Sequence, residues 1–296
     1  MSGSGRDAAA AVRAFKRGVR AVLPDRVVAV RTYRAVHGRW PSLFRPVTFS
    51  EKVLFRKNFD RRPILALFHD KLRVRDYVAE RLGADMLPPL LLVTERPETI
   101  PFDDLPDRFV IKPSHASGLV AIVTDRRTLD RAAAIAQCHG WLRHDYYRQT
   151  REWMYRQLPR RIMVEAFIDQ GTGGTPNDYK FYVFDGKVRI IQMDVGRFAG
   201  HRQGFFDTGW RRLAFALQYE PIRGAVAPPT HLDRMIAAAE RLGEGMDFIR
   251  VDLYDTDRQC YFGEITTCPG SGLDTYHPPG FDHWLGAFWH LAKTRR

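Results

Sequence analysis

Two carboxylates, Asp252 and Glu264, stand twelve residues apart near the C-terminal end, each inside an apolar run. A turn-forming stretch, residues 255–258, separates the two runs, and this pattern predicts a β-hairpin. An isolated carboxylate is costly to bury unless a cation compensates it. Two carboxylates on neighbouring strands can bind Mg²⁺ and leave room for water and phosphate oxygens. The alternative is a structural salt bridge from Arg250, and the hairpin alone leaves both interpretations open.

A lysine closes a short apolar strand in the middle of the chain. Lys112 ends the strand predicted at residues 107–113, ahead of a small-residue loop at 114–118 and a return strand at 119–123. Loop amides in such a turn can bind phosphate, and the charge of Lys112 suits a phosphate oxygen. The segment is not a P-loop, because no Gly-Lys-Ser/Thr motif opens a helix. A lysine at a strand end is also commonly just solvated.

Two more predicted segments lie between this lysine and the carboxylate hairpin. Residues 161–168 form an apolar strand broken by Glu165. Residues 178–191 surround the dipeptide Asp185–Gly186, which is typical of a tight hairpin turn. A Gly-rich link, residues 171–174, joins the two segments. The chain therefore presents a lysine strand, a glutamate strand, a hairpin and then the carboxylate hairpin.

In this order the segments resemble the ATP-grasp superfamily, and more closely its TupA-like branch, which is named for a teichuronopeptide biosynthesis protein. The resemblance covers most of the chain from residue 45 to residue 290, and the matching phrases are residues 49–52, 70–78, 105–112, 178–181, 250–254 and 262–266. It implies an α+β ATP-grasp fold in which two α/β lobes sandwich Mg·ATP. The segments it implies are a basic amphipathic helical segment at 1–45, an N-terminal lobe at 46–107, a small lid subdomain at 108–168 and a large subdomain at 169–296.

The resemblance also implies a nucleotide site. Lys112 would contact the ATP phosphates while the 114–118 loop closes over them, and Lys71 is a looser match to a second lysine. Glu165 would lie at the hinge that receives adenine, and His115 would either donate to phosphate or fill its turn. The expected nucleotide-binding set is Lys71, Lys112, Ser114, His115, Ser117, Gly118, Glu165, Ala166, Phe167, Ile168, Asp178 and Lys180.

The same resemblance implies roles for the strands beyond this hinge. Asp178 would take the ribose hydroxyls, and Lys180 would point towards phosphate. Lys180 and Arg250 are the expected catalytic residues, and Arg250 would lie near the transferred phosphoryl group. The expected metal ligands are Asp252, Glu264 and Thr266. Many relatives have Asn where Thr266 stands; because a hydroxyl or a water can replace it, the number of metal ions stays open.

The implied activity is ATP-dependent ligation. A substrate carboxylate would be activated as an acylphosphate, and an amine would displace phosphate to form an amide. The acceptor would be a polysaccharide, a peptide or an amino acid. The alternatives are a kinase that phosphorylates a small acceptor and a non-catalytic nucleotide-binding scaffold at the cell envelope. The sequence specifies neither the substrates nor the oligomeric state.

Composition narrows the class of protein and its partners. The net charge of +12 comes mostly from arginine, which suits an acidic substrate or an anionic membrane, and an Arg-rich proteome would also explain it. Nucleic acid is not expected, because no motif of interleaved aromatic and basic residues is present. Three cysteines without metal spacing predict reduced thiols and a cytoplasmic protein. Residues 8–36 predict two short basic helices that either lie on the inner face of the membrane or pack on the protein.

Overall fold

The computed structural model describes residues 23–169, 177–196, 200–217 and 219–292. The first predicted basic helix, residues 8–22, and the Gly-rich link at 171–174 lie outside these ranges. The helices are α1 (Asp25–His37), α2 (Phe49–Phe59), α3 (Pro63–His69), α4 (Arg73–Leu82), α5 (Arg131–Arg143), α6 (Tyr146–Thr150), α7 (Leu232–Leu242) and α8 (Gly280–Ala287). The strands are β1 (Leu90–Thr94), β2 (Phe109–Pro113), β3 (Ala121–Val123), β4 (Ile162–Ala166), β5 (Asp178–Phe184), β6 (Lys187–Val195), β7 (Arg202–Phe206), β8 (Glu220–Pro221), β9 (Phe248–Asp255) and β10 (Cys260–Thr266).

A four-stranded antiparallel sheet, the small sheet, has the order β1-β4-β2-β3. Phe109, Ile111 and Val164 are buried on one face, against Trp141 of α5. Residues alternate between the two faces of a strand, so Lys112 lies on the opposite face. The pairing of Val110 with Glu165 places Glu165 on the same face as Lys112, as its diagonal neighbour. The predicted lysine strand and glutamate strand are therefore paired.

A six-stranded sheet, the large sheet, has the order β10-β9-β5-β6-β7-β8 and is antiparallel except for the β7–β8 pair. Helix α7 packs on β5, β6 and β9, and the main hydrophobic core lies on this side. The predicted turn at Asp185–Gly186 is confirmed, with φ of 47° and 73° at the two residues. Positive φ at both positions gives the turn a twist that matches that of the flanking strands.

The predicted carboxylate hairpin is confirmed as β9 and β10, and it contains a β-bulge. The register shifts between Phe262 and Glu264, so that Glu264 pairs with Asp252 and Thr266 with Arg250. A Cβ on Gly263 would lie 3.0 Å from the backbone oxygen of Asp252, so glycine suits the close approach of the two strands. The bulge therefore brings the two carboxylates opposite each other.

Several predicted elements have different bounds in the structure. The return strand expected at 119–123 is Ala121–Val123, because residues 119 and 120 belong to the loop. The second basic helix is α1, whose buried Val28, Ala29 and Tyr33 pack against α2, so this part of the segment packs on the protein. No helix among the described residues is long and apolar enough to cross a bilayer.

A buried ion-pair network fixes α2 to the start of β9. The Arg56 guanidinium, which is fully buried, donates to Asp247 Oδ1 at 2.6 Å and to the Phe248 carbonyl at 2.6 Å. Asp247 also accepts from Arg62 at 2.7 Å and from the Trp289 indole at 2.9 Å. Burial alone would raise the pKa of Asp247, but Arg56, Trp289 and Arg62 outweigh it and lower the pKa to about 2. The network anchors the strand that carries Arg250 and Asp252 to the helical layer.

We expect Asp247→Asn to lower the free energy of unfolding by about 3 kcal/mol, because it leaves Arg56 buried with weaker compensation. Urea unfolding at pH 7 measures this change, and Asp104→Asn, an exposed site, is the control. Because the pKa of Asp247 is depressed on folding, its contribution is present above its ordinary pKa of 3.8 and is lost as the pH falls towards 2. Wild-type stability of Asp247→Asn at pH 7 would contradict this expectation.

Candidate functional site

Two adjoining cavities lie between the facing sides of the two sheets. The inter-sheet cavity, about 310 Å³, is lined by Lys112 and Glu165 from the small sheet and by Asp178 and Asp252 from the large sheet. The second, which we call the adjoining cavity, is about 220 Å³; it also borders Lys112 and Glu165, and it extends to Arg250. Residues predicted to act together from distant parts of the sequence therefore line one continuous region.

The small-sheet wall carries a compensated carboxylate. Glu165 Oε2 lies 2.5 Å from the Lys112 ammonium, and Glu165 Oε1 accepts from Arg75 at 2.9 Å. Arg75 also donates to the Pro88 carbonyl at 2.7 Å, which fixes α4 to the edge of the cavity. The sequence analysis gave Arg75 no role, although it lies inside one of the matching phrases. The feature of the sequence that could have pointed to Arg75 is its position in the helix that directly follows Lys71.

Lys71 lies beside the loop that follows β2. Its ammonium donates to the Ala116 carbonyl at 2.8 Å and lies 3.8 Å from Glu264. Burial lowers the pKa of Lys71 and the nearby Glu264 opposes that effect. Lys71 lines both cavities, so the looser match from the sequence falls in the same region as Lys112.

The loop at 114–118 contributes only part of its predicted set. Ser117 and Gly118 line the inter-sheet cavity. The Ser114 hydroxyl donates to the Pro159 carbonyl at 3.2 Å, and the His115 ring lies 3.2 Å from the Trp141 carbonyl through Nε2. His115 is buried, and its role at the phosphate stays a prediction. Neither Ser114 nor His115 lines the inter-sheet cavity or the adjoining cavity, whereas Ser117 and Gly118 of the same loop line the inter-sheet cavity.

The inter-sheet cavity has one apolar end. Ala166, Phe167 and Ile168 line it together with Val120 and Ile122. Asp178 lies in the same cavity, on the large sheet. A flat apolar cleft with a carboxylate at its margin can receive an aromatic base and the hydroxyls attached to it. The positions of these residues agree with the predicted hinge, and their roles stay predictions.

Lys180 lies at the centre of a cluster of carboxylates on the large sheet. Its ammonium is hydrogen-bonded to Asp178 and lies 3.1 Å from Asp252 and 3.4 Å from Asp194. Burial opposes the charge on Lys180, but Asp178 and Asp252 raise its pKa. The ammonium therefore compensates the sheet's own acids in this state. Asp194 was not predicted as a site residue. The sequence held a signal for it, because Asp194 lies at the end of an apolar run and Asp252 lies within one.

The structural salt bridge that the sequence left open is present. Arg250 donates to both Asp252 oxygens at 2.8 Å and to the Thr266 hydroxyl at 3.2 Å, and it lies 3.8 Å from Glu264. Burial opposes the charge on Arg250, but Asp252 raises its pKa well above the ordinary value. One guanidinium thus contacts all three predicted metal ligands. This pairing leaves the metal assignment a prediction.

The donor chemistry of these three residues fits an oxygen-preferring cation. Asp252, Glu264 and Thr266 offer two carboxylates and a hydroxyl on paired strands, and each lines one of the cavities. No cluster of three or more His, Cys, Asp or Glu within the described ranges could hold a metal. A Mg²⁺ ion here would therefore take its remaining ligands from water and substrate oxygens, which is its usual mode of binding.

Comparisons with known proteins identify a family model that matches residues 51–290, described as TupA-like ATP-grasp. Solved structures that resemble this one include a D-alanine–D-alanine ligase from Bacillus anthracis complexed with ATP (18% identity, TM-score 0.41, covering 70% of this chain and 56% of that chain). Others are D-alanyl-alanine synthetase A from Vibrio cholerae (15%, 0.40, 69% and 56%) and the ATP-grasp ligase PsnB complexed with a minimal precursor (12%, 0.40, 74% and 60%). This chain thus spans less than two thirds of the length of these structures. No curated protein matches it.

We expect Asp252→Asn to abolish divalent-cation binding in the presence of ATP in a protein that is still folded at the assay temperature. Its melting temperature should fall, because Arg250 and Lys180 keep weaker compensation. The amide oxygen can still accept from Arg250, but the charge that a cation requires is gone. Mn²⁺ binding followed by electron paramagnetic resonance measures the effect, with Asp257→Asn, exposed in the turn of the same hairpin, as control. If instead Asp252→Asn and Arg250→Met both lower the melting temperature and Mn²⁺ binding persists in Asp252→Asn, the carboxylate is structural.

Proposed function

Since the chain belongs to the TupA-like ATP-grasp family, with its α+β ATP-grasp fold, we propose that it is an ATP-dependent ligase that joins a carboxylate to an amine. One observation carries the proposal: Lys71 and Lys112 line the same cavity as Asp252 and Glu264. Cations suited to phosphate and carboxylates suited to Mg²⁺ therefore share one space. A nucleotide triphosphate with its divalent cation is the ligand that needs both.

We assign the parts of the nucleotide along the inter-sheet cavity. Adenine occupies the apolar end beside Phe167 and Ile168, and Asp178 accepts from the ribose hydroxyls. Lys112 contacts the phosphates and can leave Glu165 to do so, because Arg75 still compensates that carboxylate. Support for this assignment comes from the lining of the cavity, which includes the apolar side chains of Val120, Phe167 and Ile168 as well as the charged side chains of Lys112 and Asp178.

Asp252, Glu264 and Thr266 would hold Mg²⁺, and a bound Mg²⁺ ion neutralises phosphate oxygens during phosphoryl transfer. The proposed role of Arg250 is to neutralise the oxygens of the transferred phosphoryl group, for which a planar guanidinium with several donors is suited. Catalysis then rests on the positioning of charges, because phosphoryl transfer needs little covalent chemistry from the protein.

In the proposed reaction a substrate carboxylate oxygen attacks the γ-phosphorus of ATP, the bond to the bridging oxygen breaks, and ADP leaves. The product is an acylphosphate. An amine then attacks its carbonyl carbon, the C–O bond to phosphate breaks, and an amide, phosphate and a proton are released. We propose a polysaccharide, peptide or amino-acid acceptor and a cytoplasmic location, where ATP and reduced thiols are found; Cys138, Cys260 and Cys268 are buried and free.

The test is a screen of amino acids, sugar acids and amines for Mg²⁺-dependent ADP release, with product masses. Hydroxylamine is added in parallel, because it traps an acylphosphate as a hydroxamate. We expect ADP release that requires a carboxylate, and an amide product when an amine is present. A phosphorylated acceptor without amide would make the protein a kinase. ATP binding without any turnover would make it a nucleotide-binding scaffold.

We expect Lys112→Ala to weaken Mg·ATP binding by about tenfold or more, because one charge-assisted hydrogen bond to phosphate is lost. The fold should survive, since Arg75 remains paired with Glu165 at 2.9 Å. Calorimetry with Mg·ATP measures the affinity, and Lys187→Ala is the matched control because that lysine pairs with Glu240 on the surface. Unchanged affinity in Lys112→Ala would remove Lys112 from the nucleotide site.

A further inference from the structure

The far end of the adjoining cavity holds a carboxylate that has no role in the nucleotide site. Glu152 is 5% exposed and lines this cavity with Ser271, Tyr146 and Tyr155, away from the inter-sheet cavity. The Ser271 hydroxyl is hydrogen-bonded to Glu152 Oε1. Glu152 belongs to the segment after α6, and Ser271 belongs to the loop after β10. The hydrogen bond therefore joins two residues that are 119 positions apart in the sequence.

The loop that presents Ser271 has an unusual backbone. Gly270, Ser271 and Gly272 all have positive φ, of 53°, 55° and 74°. Positive φ is uncommon for a serine and carries a conformational cost, so the surrounding structure must hold it in place. A Cβ at Gly272 would lie 2.7 Å from the Ser50 carbonyl, so the loop passes directly over α2. This close approach keeps the Ser271 hydroxyl directed at Glu152.

Within the protein, the burial of Glu152 outweighs the groups that stabilise its negative charge. Burial raises the pKa of Glu152, while Lys57 and the Ser271 hydroxyl oppose that rise. No salt bridge to Glu152 within 4.0 Å is found in the described part of the chain. The lysine and arginine side chains that line the same cavity are Lys71, Arg75, Lys112 and Arg250, and each of them has a role or a partner in the proposed nucleotide site.

Tyr155 connects this carboxylate to the predicted metal hairpin. Burial raises the pKa of Tyr155 well above its ordinary value, and Glu152, Tyr146 and Glu264 raise it further. The Tyr155 ring packs at 4.6 Å from the rings of both Tyr146 and His69, which holds it in the cavity wall. Glu152, Tyr155 and Glu264 all line the adjoining cavity. A ligand bound at Glu152 would therefore share this cavity with the site proposed for phosphoryl transfer.

We propose that Glu152 binds the ammonium group of the amine substrate, and that Ser271 is a positioning residue for the Glu152 carboxylate. The proposal rests on the ligase function, which requires an amine next to the activated carboxylate. A carboxylate that accepts one hydroxyl hydrogen bond still has lone pairs for an ammonium. The Glu152 carboxylate disfavours anionic groups next to it. Arg250 and Lys71, which line the same cavity, are available to bind such groups instead. The adjoining cavity thus offers a carboxylate for an ammonium group as well as cations for anionic groups.

The direct test is calorimetry of amines that lack a carboxylate, namely glycinamide, L-alaninamide and L-lysinamide, with the full chain saturated with a non-hydrolysable Mg·ATP analogue. We expect at least one of these amines to bind the wild-type protein. Glu152→Gln should weaken that binding by about 10-fold to 100-fold, since a charged hydrogen bond is lost. Glu244→Gln, exposed beyond α7, should bind the same amine as tightly as the wild type.

Stability separates this role from a structural one. Glu152→Gln keeps an acceptor for the Ser271 hydroxyl and removes a buried charge, so its melting temperature should equal or exceed that of the wild type. Ser271→Ala should weaken amine binding by a smaller factor, because the carboxylate remains. A fall in the melting temperature of Glu152→Gln with unchanged amine affinity would overturn the proposal, as would the absence of amine binding by the wild type.

Failure of this inference can be told apart from failure of the ligase proposal. Hydroxylamine is mostly uncharged at pH 7, so hydroxamate formation needs the acylphosphate but no ammonium site. We expect Glu152→Gln to form hydroxamate at the wild-type rate while the KM for the amine substrate rises. Hydroxamate formation with an unchanged amine KM in Glu152→Gln would overturn the role of Glu152 alone. Absence of hydroxamate from the wild type would overturn the ligase proposal.

Discussion

The compensation of buried charge by a neighbouring strand is the constraint on which this site depends. The Lys180 ammonium contacts carboxylates on β5, β6 and β9, and without it Asp178, Asp194 and Asp252 would repel one another in a buried sheet. The contacts also run across the sheet, so the same interaction that compensates the charges holds the side chains of three strands in place. The contacts of Lys180 therefore determine both the side-chain positions and the charge of the large-sheet wall.

Both walls of the inter-sheet cavity contain a pair of a cation with a carboxylate, and this pairing affects how a ligand can bind. Lys112 is paired with Glu165, and Arg250 is paired with Asp252. A ligand that binds these groups replaces one charged partner with another, so no group has to pass through an uncompensated buried state. In the proposed nucleotide complex Lys112 would turn to phosphate while Arg75 stays on Glu165, and this second partner would keep the small-sheet wall intact.

The sequence predicted the parts of the site that local pattern determines. The Asp185–Gly186 turn, the lysine strand and the carboxylate hairpin follow from alternation and turn chemistry, and the structure has them. The bulge at Gly263 was not predictable, because the pairing of Glu264 with Asp252 depends on the partner strand. Contacts between distant segments were missed for the same reason, and Ser271 with Glu152 is the clearest case. Ser114 and His115 were predicted as binding residues, yet neighbouring carbonyls take their side chains.

Arg250 explains why the metal and salt-bridge interpretations could not be separated by pattern. Its guanidinium reaches Asp252 and Thr266 through hydrogen bonds and approaches Glu264, the same three oxygens that a divalent cation would use. A cation at these ligands would compensate Asp252 in its place, and the guanidinium would then be available to phosphate oxygens in the adjoining cavity. A lysine at position 250 could not form two parallel hydrogen bonds with Asp252. Its point charge would therefore fix neither its own orientation nor that of the Asp252 carboxylate. If the proposed metal site forms, the salt bridge and the metal site would be two states of one set of residues, and the bound ligand would decide between them.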